Sequence, residues 1–400
     1  MNALVVSLLV VVAGLLAIPA AVFCLEIIAA IALPQRQTAI RTGYHARRRL
    51  AVLVPAHNES AGLLPTLADI QSQLLPGDRM LVVADNCTDD TAAVAKAGGA
   101  EVIERQDATK LGKGYALDQG LRHVSLDPPE IVIAIDADCR VEGGTIDQLA
   151  LTAATTGRPV QAVNTMISPT KSLVNHQVAE FAGLVKRWLR PLGLSALGLP
   201  CQLTGTGMAF PWDVVRSADL TSGSIAEDLK LGLELSLAGH SPTFCPSACV
   251  TSEFPSSIKG TKTQRKRWEQ GHIEIIVKNA PRLFYLAIAR RNWSLLILTL
   301  DLAVPPLSLL GILIAGVFVV TALAVFLGFS SVPFIMSTAT LLGFIVAIFL
   351  AWLKCGRNVL PASTVLSITP FVIEKLSLYR QILSGKADAR WDRTDRKKSE

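Results

Sequence analysis

The sequence predicts an α/β domain with a mostly parallel sheet, accompanied by transmembrane helices. Half of the 400 residues are hydrophobic and only 18% are charged, whereas a soluble domain averages about a quarter. The shortage of charge is concentrated in two stretches. The only charged residue of Leu4–Leu33 is Glu26, and the only charged residue of Leu295–Leu353 is Asp301. Between these stretches, short β-branched runs alternate with amphipathic segments, as in a parallel sheet covered by helices on both faces.

The first apolar stretch predicts a transmembrane anchor over residues 1–34. Its length, at about 1.5 Å per residue, exceeds the roughly 30 Å hydrocarbon core, so the helix can span with tilt. A cleaved signal peptide is disfavoured because no basic residue precedes Leu4 and the apolar run is too long. Five arginines and no acidic residue follow between Arg36 and Arg49. By the positive-inside rule, this end is cytoplasmic and the N-terminus lies outside.

The second apolar stretch predicts a transmembrane hairpin over residues 294–354. Its two spans are expected at Leu295–Leu327 and Phe334–Leu353. Pro305-Pro306 must kink or interrupt the first span, because each proline removes a backbone donor and clashes with the preceding turn. Asp301 either faces a bundle interior or lies in the interface, and the sequence alone does not choose between these.

Residues 355–400 predict a re-entrant or interfacial segment followed by a basic cytoplasmic tail. Val359–Ile373 is short and broken by two prolines, and from Lys375 onward eight basic residues face four acidic ones. Such a tail suits an anionic inner leaflet. The net charge of +6 is therefore attributed to membrane topology. No nucleic-acid partner is predicted, because no aromatic-basic stacking series occurs.

The central region, residues 45–290, is predicted to be a cytoplasmic α/β domain. Ligands of such sheets bind at the carboxyl ends of the strands, and polar clusters follow three of the four strands expected here. The predicted strands are 50–56, 80–85, 100–105 and 131–136, the helices between them 60–74, 90–97 and 114–124, and the polar clusters 57–59, 85–86 and 136–138.

Asp136 and Asp138 leave the sheet directly after an apolar strand. Two carboxylates at i and i+2 can place one on a hard divalent cation and leave the other for a ribose or sugar hydroxyl. A solvated turn is the ordinary explanation of this common tripeptide. The strand end before it favours a site for Mg²⁺ or Mn²⁺.

Lys113 lies between Gly112 and Gly114, so it either approaches a phosphate or belongs to a turn that starts a helix. A Walker A loop is disfavoured, because a glycine rather than Ser or Thr follows the lysine and the earlier glycine is missing. No strand-linked Gly-x-Gly-x-x-Gly occurs either, and Gly205-Thr-Gly207 lacks the third glycine. A nicotinamide site is therefore not predicted.

Three further segments have both a structural and a functional explanation. Asp228 beside Glu227 either caps a helix or serves as a general base, a role worth about 10²–10⁴-fold in rate. The QRKRW run, Gln264–Trp268, is either a juxtamembrane basic cluster or an arginine for a diphosphate group beside an indole platform. Ser172–Leu192 predicts an amphipathic helix that lies on the membrane or packs on the core.

Taken in order, these motifs resemble the family 2 glycosyltransferases, especially the membrane-embedded members that include cellulose and hyaluronan synthases and exopolysaccharide sugar transferases. The resemblance covers Leu50 to about Gly271. It implies a Rossmann-like GT-A fold and an inverting hexosyltransferase that uses a nucleotide-diphosphate sugar, with a UDP-sugar as the expected donor. The motifs are VPAHNE (54–59), ADNCTDDT (84–91), GKGYAL (112–117), DAD (136–138), GTGMAF (205–210), AED (226–228) and QRKRW (264–268).

The resemblance implies roles for individual residues by matching position. Asp138 would bind the metal and Asp228 would be the catalytic base. Ala84-Asp85 departs from the usual acidic pair of the second motif, so only one carboxylate is available there. The nucleotide-sugar pocket would contain Ala56, His57, Glu59, Asp85, Lys113 and Asp136, and the diphosphate and acceptor site Gln264, Arg267 and Trp268.

The resemblance also implies a location and partners. We expect a multi-pass protein of the bacterial inner (plasma) membrane that acts in exopolysaccharide or cell-surface polysaccharide synthesis. Its partners would be a nucleotide-sugar donor, a lipid-linked or glycan acceptor, membrane lipid and other polysaccharide-synthesis proteins. Addition of single sugars is favoured because three spans are few to enclose a polymer channel. A processive β-polysaccharide synthase, which QRKRW favours, and an inactive scaffold of an export complex remain the alternatives.

Overall fold

A computed structural model describes residues 2–35, 47–168, 174–221, 227–255, 258–365 and 375–380. These residues form two compact units. The sheet unit contains the described residues of 47–168 and 198–264, and the helical unit contains those of 2–35, 174–197, 265–365 and 375–380. Arg36 and Arg41 of the arginine cluster, Ala226, most of Val359–Ile373 and the tail beyond Arg380 lie outside the described residues.

Eight strands of the sheet unit form one sheet in the order β3-β2-β1-β4-β7-β6-β8-β5. Strands β3, β2, β1 and β4 are parallel neighbours, so their carboxyl ends meet at one edge. Strand β7 is antiparallel to β4 and β6, and β8 is parallel to β6 and antiparallel to β5. The strands are β1 (Leu50–Ala56), β2 (Arg79–Asp85), β3 (Glu101–Arg105), β4 (Ile131–Ala134), β5 (Cys139–Val141), β6 (Val160–Ile167), β7 (Met208–Pro211) and β8 (Thr243–Glu253).

The predicted α/β fold class is confirmed. All four expected strands occur in the parallel half of the sheet, and antiparallel pairings make the other half mixed. Helices cover both faces because alternate strand residues point to opposite sides: Leu50 and Val52 pack into one core and Ala51 and Leu53 into the other. The sheet unit's helices are a 3₁₀ turn (Ser60–Leu63), α2 (Leu64–Gln71), α3 (Thr91–Ala97), α4 (Lys113–Val124), α5 (Thr145–Thr156), α8 (Trp212–Val215) and α9 (Glu227–Leu237).

Among its described residues, the helical unit contains three helices that are long and apolar enough to cross a membrane. They are Asn2–Ala32, Leu307–Phe326 and Val332–Gly356, the last of which ends in a π turn. The described helices that belong to this unit, or enter it in the case of α10, are α1 (Asn2–Ala32), α6 (Val174–Leu184), a π turn (Val185–Leu189), α7 (Arg190–Ala196), α10 (Ile258–Ala289), α11 (Trp293–Leu302), α12 (Leu307–Phe326), α13 (Val332–Ala351), a π turn (Trp352–Gly356) and α14 (Ala362–Val365).

Pro305-Pro306 interrupts the first expected span of the hairpin. Instead of one helix over Leu295–Leu327, the chain forms α11, a break at the prolines and then α12. Pro306 itself is extended, with φ −48° and ψ 134°, so it precedes α12 without occupying a helical position. Only α12 is long enough to span.

Asp301 faces the interior of the helical unit, where it meets two other charged residues. Arg190 on α7 donates to Asp301 Oδ1 (2.5 Å) and to the Asp301 carbonyl (3.0 Å). It also donates to Glu26 on α1. All three side chains are at most 8% exposed. This triad joins α1, α7 and α11, and it resolves the choice that the sequence left open for Asp301.

The amphipathic segment expected over Ser172–Leu192 packs four of its apolar side chains on protein, while Leu184 and Trp188 are partly exposed. Phe181, Val185, Leu189 and Leu192 are each at most 6% exposed. The first residues of the segment, 172–173, lie outside the described residues. The described part is therefore a core-packed helix, which was the alternative to a helix that lies on the membrane.

Gly193 on α7 is required by the close approach of α7 to α1. A Cβ at Gly193 would lie 1.9 Å from the carbonyl oxygen of Glu26, which is backbone and cannot rotate away. We expect Gly193→Ala to destabilise the protein by about 1–3 kcal/mol or more through overpacking. Thermal unfolding in lipid nanodiscs measures this effect.

Gly316→Ala provides the matched control. Gly316 lies within α12, and nothing lies within 4 Å of its added Cβ, so this variant should unfold at or slightly above the wild-type temperature. Equal melting temperatures for the two variants would show that α7 and α1 do not pack as closely as described.

Candidate active site

The carboxyl ends of β1 and β2 bring His57 and Asp85 together. Nδ1 of His57 donates to the backbone carbonyl of Asp85 at 2.7 Å; because a carbonyl only accepts, this nitrogen carries the proton. The backbone amide of Glu59 donates to Thr91 Oγ1 at 2.9 Å, which ties the end of β1 to the start of α3. Ala56 is buried at the end of β1. These four expected pocket residues therefore lie at one edge of the sheet.

Arg105 at the end of β3 holds Asp85 in place, and sequence reasoning missed it. Its Nη1 donates to Asp85 Oδ1 at 2.5 Å, and its guanidinium carbon lies 5.4 Å from the ring centre of Tyr115. Both side chains of the ion pair are about nine-tenths buried. The only sequence signal was that Arg105 ends a strand next to the one that ends in Asp85.

Lys113 connects the strand edge to the glycine loop at 205. It is the first residue of α4. Its Nζ donates to the carbonyl of Gly205 at 2.6 Å and to Asp136 Oδ1. Burial alone would lower the pKa of Lys113, but Asp136, Glu227 and Asp228 outweigh it and raise that pKa. Lys113 therefore carries the positive charge of an otherwise acidic site.

Asp136 and Asp138 lie in the turn between β4 and β5, with Cys139 directly after them. The ligand atoms of these three residues lie within 4.8 Å of one another. The backbone amide of Asp136 donates to Thr206 Oγ1 at 3.0 Å, which fixes the turn. Burial, together with Asp138 and Asp228, raises the pKa of Asp136, and Lys113 opposes this rise.

The donor set fits a hard divalent cation. Carboxylate oxygens are the ligands that Mg²⁺ and Mn²⁺ prefer. Burial raises the pKa of the Cys139 thiol, so the thiol stays neutral and is a poor ligand for such an ion. Lys113 already binds Asp136, and Asp138 is the second carboxylate of the cluster.

Glu227 and Asp228 begin α9. Glu227 Oε2 accepts from the amide of Gly114 at 3.1 Å. Asp228 Oδ2 approaches Gly205, where an added Cβ would lie 3.3 Å from it and 3.8 Å from Lys113 Nζ. Asp228 Oδ2 and Lys113 Nζ therefore both lie close to the same point beside Gly205. Sequence reasoning selected Asp228 and treated Glu227 only as its neighbour at a helix start.

Glu227 has an unusual protonation equilibrium. Burial, with Asp228 and Asp136, raises its pKa from 4.5 to about 7, and Lys113 and the Gly114 amide oppose the rise. The folded protein thus holds this proton more tightly than the unfolded chain. The resulting stability is present below pH 4.5 and is lost as pH rises through about 7.

Glu227→Gln should remove this pH dependence. On going from pH 5 to pH 8, we expect the free energy of unfolding of the variant to rise relative to that of wild type by on the order of 2 kcal/mol. Chemical unfolding at the two pH values measures the difference. Glu234→Gln, on the same helix with its side chain 41% exposed, is the matched control and should differ from wild type equally at both pH values. If Glu227→Gln also differs from wild type by the same amount at both pH values, the protonation assigned to Glu227 is wrong.

The QRKRW residues lie on α10. Gln264 belongs to the sheet unit and is 5% exposed, and its Oε1 has no hydrogen-bond partner among the described residues. Arg267 and Trp268 belong to the helical unit. The guanidinium carbon of Arg187 lies 5.3 Å from the ring centre of Trp268.

Known proteins resemble this chain in sequence. A family model described as "Glycosyltransferase like family 2" matches residues 47–271. The probable glycosyltransferase YdaM of Bacillus subtilis (strain 168) is 24% identical over 253 residues, which cover 60% of this chain and 58% of YdaM. The poly-beta-1,6-N-acetyl-D-glucosamine synthase of Staphylococcus epidermidis is 22% identical over 279 residues, 66% of this chain and 64% of that protein. The chain thus spans less than two thirds of these relatives.

Among solved structures, the mannosyltransferase PcManGT from Pyrobaculum calidifontis, in complex with GDP-Man and Mn²⁺, is similar with a TM-score of 0.46. It is 18% identical, and the similarity covers 84% of this chain and 99% of that chain. The resemblance expected from the ordered motifs is confirmed by the family model, which covers more than half of the sequence. The chain belongs to glycosyltransferase-like family 2.

Proposed function

We propose that the chain is an inverting hexosyltransferase that moves a sugar from a UDP-sugar to a membrane-associated or lipid-linked glycan acceptor. The observation that carries this proposal is the cluster around Lys113. The charges of Asp136, Glu227 and Asp228 act on this lysine, and Asp138 lies beside Asp136. These acids stand at the positions of the family's sugar-transfer motifs.

The nucleoside would bind at the ends of β1 and β2. Ala56, His57 and Glu59 follow or end β1, and Asp85 ends β2. Arg105 fixes the Asp85 carboxylate through an ion pair, so the carboxylate is held in one orientation before a ligand arrives. Lys113 and Asp136 would lie next to the phosphates and the sugar or ribose.

Asp138 would hold Mg²⁺ or Mn²⁺. When bound, such an ion neutralises negative charge that grows on a departing diphosphate. The pairing of Asp136 with Lys113 leaves the two neighbouring aspartates with different tasks. Asp138 binds the cation, and Asp136 orients hydroxyl groups of the donor.

Asp228 would be the general base. It takes the proton of the acceptor hydroxyl, whose oxygen forms a bond to the anomeric carbon. The bond from that carbon to the diphosphate breaks, and its electron pair leaves with the nucleoside diphosphate. Attack from the opposite side converts an α-linked donor into a β-linked product. By their positions in the family pattern, Gln264, Arg267 and Trp268 bind the diphosphate and the acceptor.

A processive β-polysaccharide synthase is the second candidate function. The similarity to the poly-beta-1,6-N-acetyl-D-glucosamine synthase of Staphylococcus epidermidis and the QRKRW motif both favour it. Addition of single sugars is our first choice, since three helices among the described residues are candidate spans, which are few to enclose a polymer channel. A ladder of products or a high polymer from purified protein would overturn that choice.

The proposed setting is the bacterial inner membrane, in exopolysaccharide or cell-surface polysaccharide synthesis, with other proteins of that synthesis as partners. Residues 1–34 would anchor a cytoplasmic catalytic domain over 45–290, and 294–354 would form a transmembrane hairpin before the interfacial segment and tail of 355–400. A reporter that works only outside the cytoplasm should be active when it is fused at the N-terminus. A reporter that works only in the cytoplasm should be active when it is fused after residue 354. The opposite pattern would overturn this orientation.

A panel of radiolabelled UDP- and GDP-sugars with native membranes and Mn²⁺ tests the proposed reaction. We expect one UDP-sugar to label a lipid-extractable or glycan product whose new linkage is β by NMR. Labelling from no nucleotide sugar, or an α-linkage from an α-linked donor, would overturn the proposal. An inactive scaffold would give the first of these results.

A further inference from the structure

The π turn Val185–Leu189 of the helical unit carries two consecutive cations, Lys186 and Arg187. π turns are rare and occur frequently at functional sites. Both cations contact α10. Arg187 covers the indole of Trp268 at 5.3 Å from the ring centre, and Lys186 Nζ lies 3.4 Å from Nδ1 of His272.

Trp268 and His272 are four residues apart, so they share one face of α10. Nε2 of His272 lies 3.2 Å from the carbonyl oxygen of Leu302, which can only accept. Nε2 therefore carries the ring proton, and Nδ1 accepts from Lys186. Burial, together with Lys186 and Arg190, holds the pKa of His272 well below its usual range, so the imidazole is neutral, as this bonding requires.

The geometry of the π turn explains how the adjacent side chains of Lys186 and Arg187 both reach the same face of α10. In an α-helix, consecutive side chains point about 100° apart, because a turn holds 3.6 residues. A π turn contains more residues and reduces this angle. Arg190, immediately after the turn, contacts α1 and α11 instead. The segment thus ties the part of α10 that carries Trp268 and His272 to α1 and α11 within the helical unit.

We propose that Arg187 is a positioning residue, which fixes the indole of Trp268 and leaves only the opposite ring face for an acceptor sugar. This rests on the proposed function, in which Trp268 binds the acceptor. The guanidinium occupies one face of the ring, so a sugar can stack only on the other. Arg187 thereby sets the side from which the acceptor approaches, without taking part in donor binding.

Fluorine NMR of protein labelled with 5-fluorotryptophan tests the positioning directly. The Trp268 signal is assigned by its loss in Trp268→Phe. We expect Arg187→Met to shift or broaden this signal and to leave unchanged those of the four tryptophans other than Trp188, its neighbour in the π turn, which also shows that the fold is intact. Arg187→Lys should give a smaller shift, and Arg282→Met, exposed on α10, none. An unchanged Trp268 signal in Arg187→Met would overturn the proposal.

The ratio of sugar incorporated to nucleoside diphosphate released in native membranes tests the consequence for transfer. Hydrolysis of the donor needs only water, whereas incorporation needs a positioned acceptor. We expect Arg187→Met to lower the ratio by about 3- to 30-fold, the range of a cation–π contact. Donor hydrolysis, which is the release not matched by incorporation, should stay unchanged. Arg187→Lys should restore most of the ratio, and Arg282→Met should not alter it.

The two measurements separate failure of this inference from failure of the proposed function. If wild-type protein releases no nucleoside diphosphate, the proposed function fails, while the fluorine spectra still decide whether Arg187 fixes Trp268. If wild-type protein is active and Arg187→Met keeps the wild-type ratio, the positioning role is wrong. If Arg187→Met disturbs all six tryptophan signals, Arg187→Lys decides. A small Trp268 shift with most of the ratio restored supports the proposal, and a lowered ratio without a Trp268 shift overturns it.

Discussion

Asp228→Asn is expected to lower the rate of sugar transfer by about 10²–10⁴-fold, the usual contribution of a positioned general base. Asparagine has nearly the size of aspartate but cannot take the proton of the acceptor hydroxyl. The approach of Asp228 to Gly205 and Lys113 is therefore retained, so the donor affinity should change little. Initial transfer rates at saturating donor, with donor affinity measured separately, test both statements.

Asp213→Asn is the matched control for this substitution, because the Asp213 side chain is 83% exposed on α8. It should transfer sugar at the wild-type rate. If Asp228→Asn keeps more than a third of that rate, Asp228 is not the base. Glu227, whose side chain lies next in sequence and whose pKa is raised to about 7, would then be the first alternative to examine.

Arg190→Met is expected to destabilise the helical unit by roughly 3–5 kcal/mol. Removing one partner of a buried ion pair leaves an uncompensated buried charge, and here two carboxylates, Glu26 and Asp301, share the one guanidinium. Methionine keeps most of the volume of the arginine stem, so loss of charge pairing is the main change. Thermal unfolding in nanodiscs and the yield of folded protein measure the effect.

The triple variant Arg190→Met, Glu26→Gln, Asp301→Asn separates charge from packing. It removes all three charges, so it should recover a large part of the stability that Arg190→Met loses. Arg282→Met, exposed on α10, should unfold like wild type. If Arg190→Met is no less stable than Arg282→Met, the triad contributes nothing to the stability of the helical unit.

The parallel half of the sheet was predictable because its strands are continuous apolar runs between clear turn signals. Leu50–Ala56 was expected over the same residues that form β1, and β2 begins one residue earlier than expected. The antiparallel strands were missed for physical reasons. Strand β5 has three residues, and β8 contains Pro246 beside a register shift in its pairing with β6, so neither shows a regular apolar alternation.

The motif residues of the site could be selected from the sequence, but their partners could not. Lys113 and Asp136 lie 23 residues apart and form an ion pair, and Arg105 meets Asp85 across 20 residues. Arg190 and Asp301 are separated by 111 residues. Such pairings depend on strand order and helix packing, which local patterns do not encode. The protonation of Glu227 likewise depends on burial that appears only in the fold.

The most direct test of the central claim measures the release of nucleoside diphosphate from a UDP-sugar. The release is compared between wild type and Asp138→Ala, with and without Mn²⁺. That claim places metal-dependent sugar transfer at the carboxylates around Lys113. We expect wild-type release to require the ion, to stop in EDTA and to return when Mn²⁺ is added back. We expect Asp138→Ala to remain inactive at every Mn²⁺ concentration at which wild type is active. Release that survives both EDTA and Asp138→Ala would contradict the claim and place the chemistry elsewhere in the molecule.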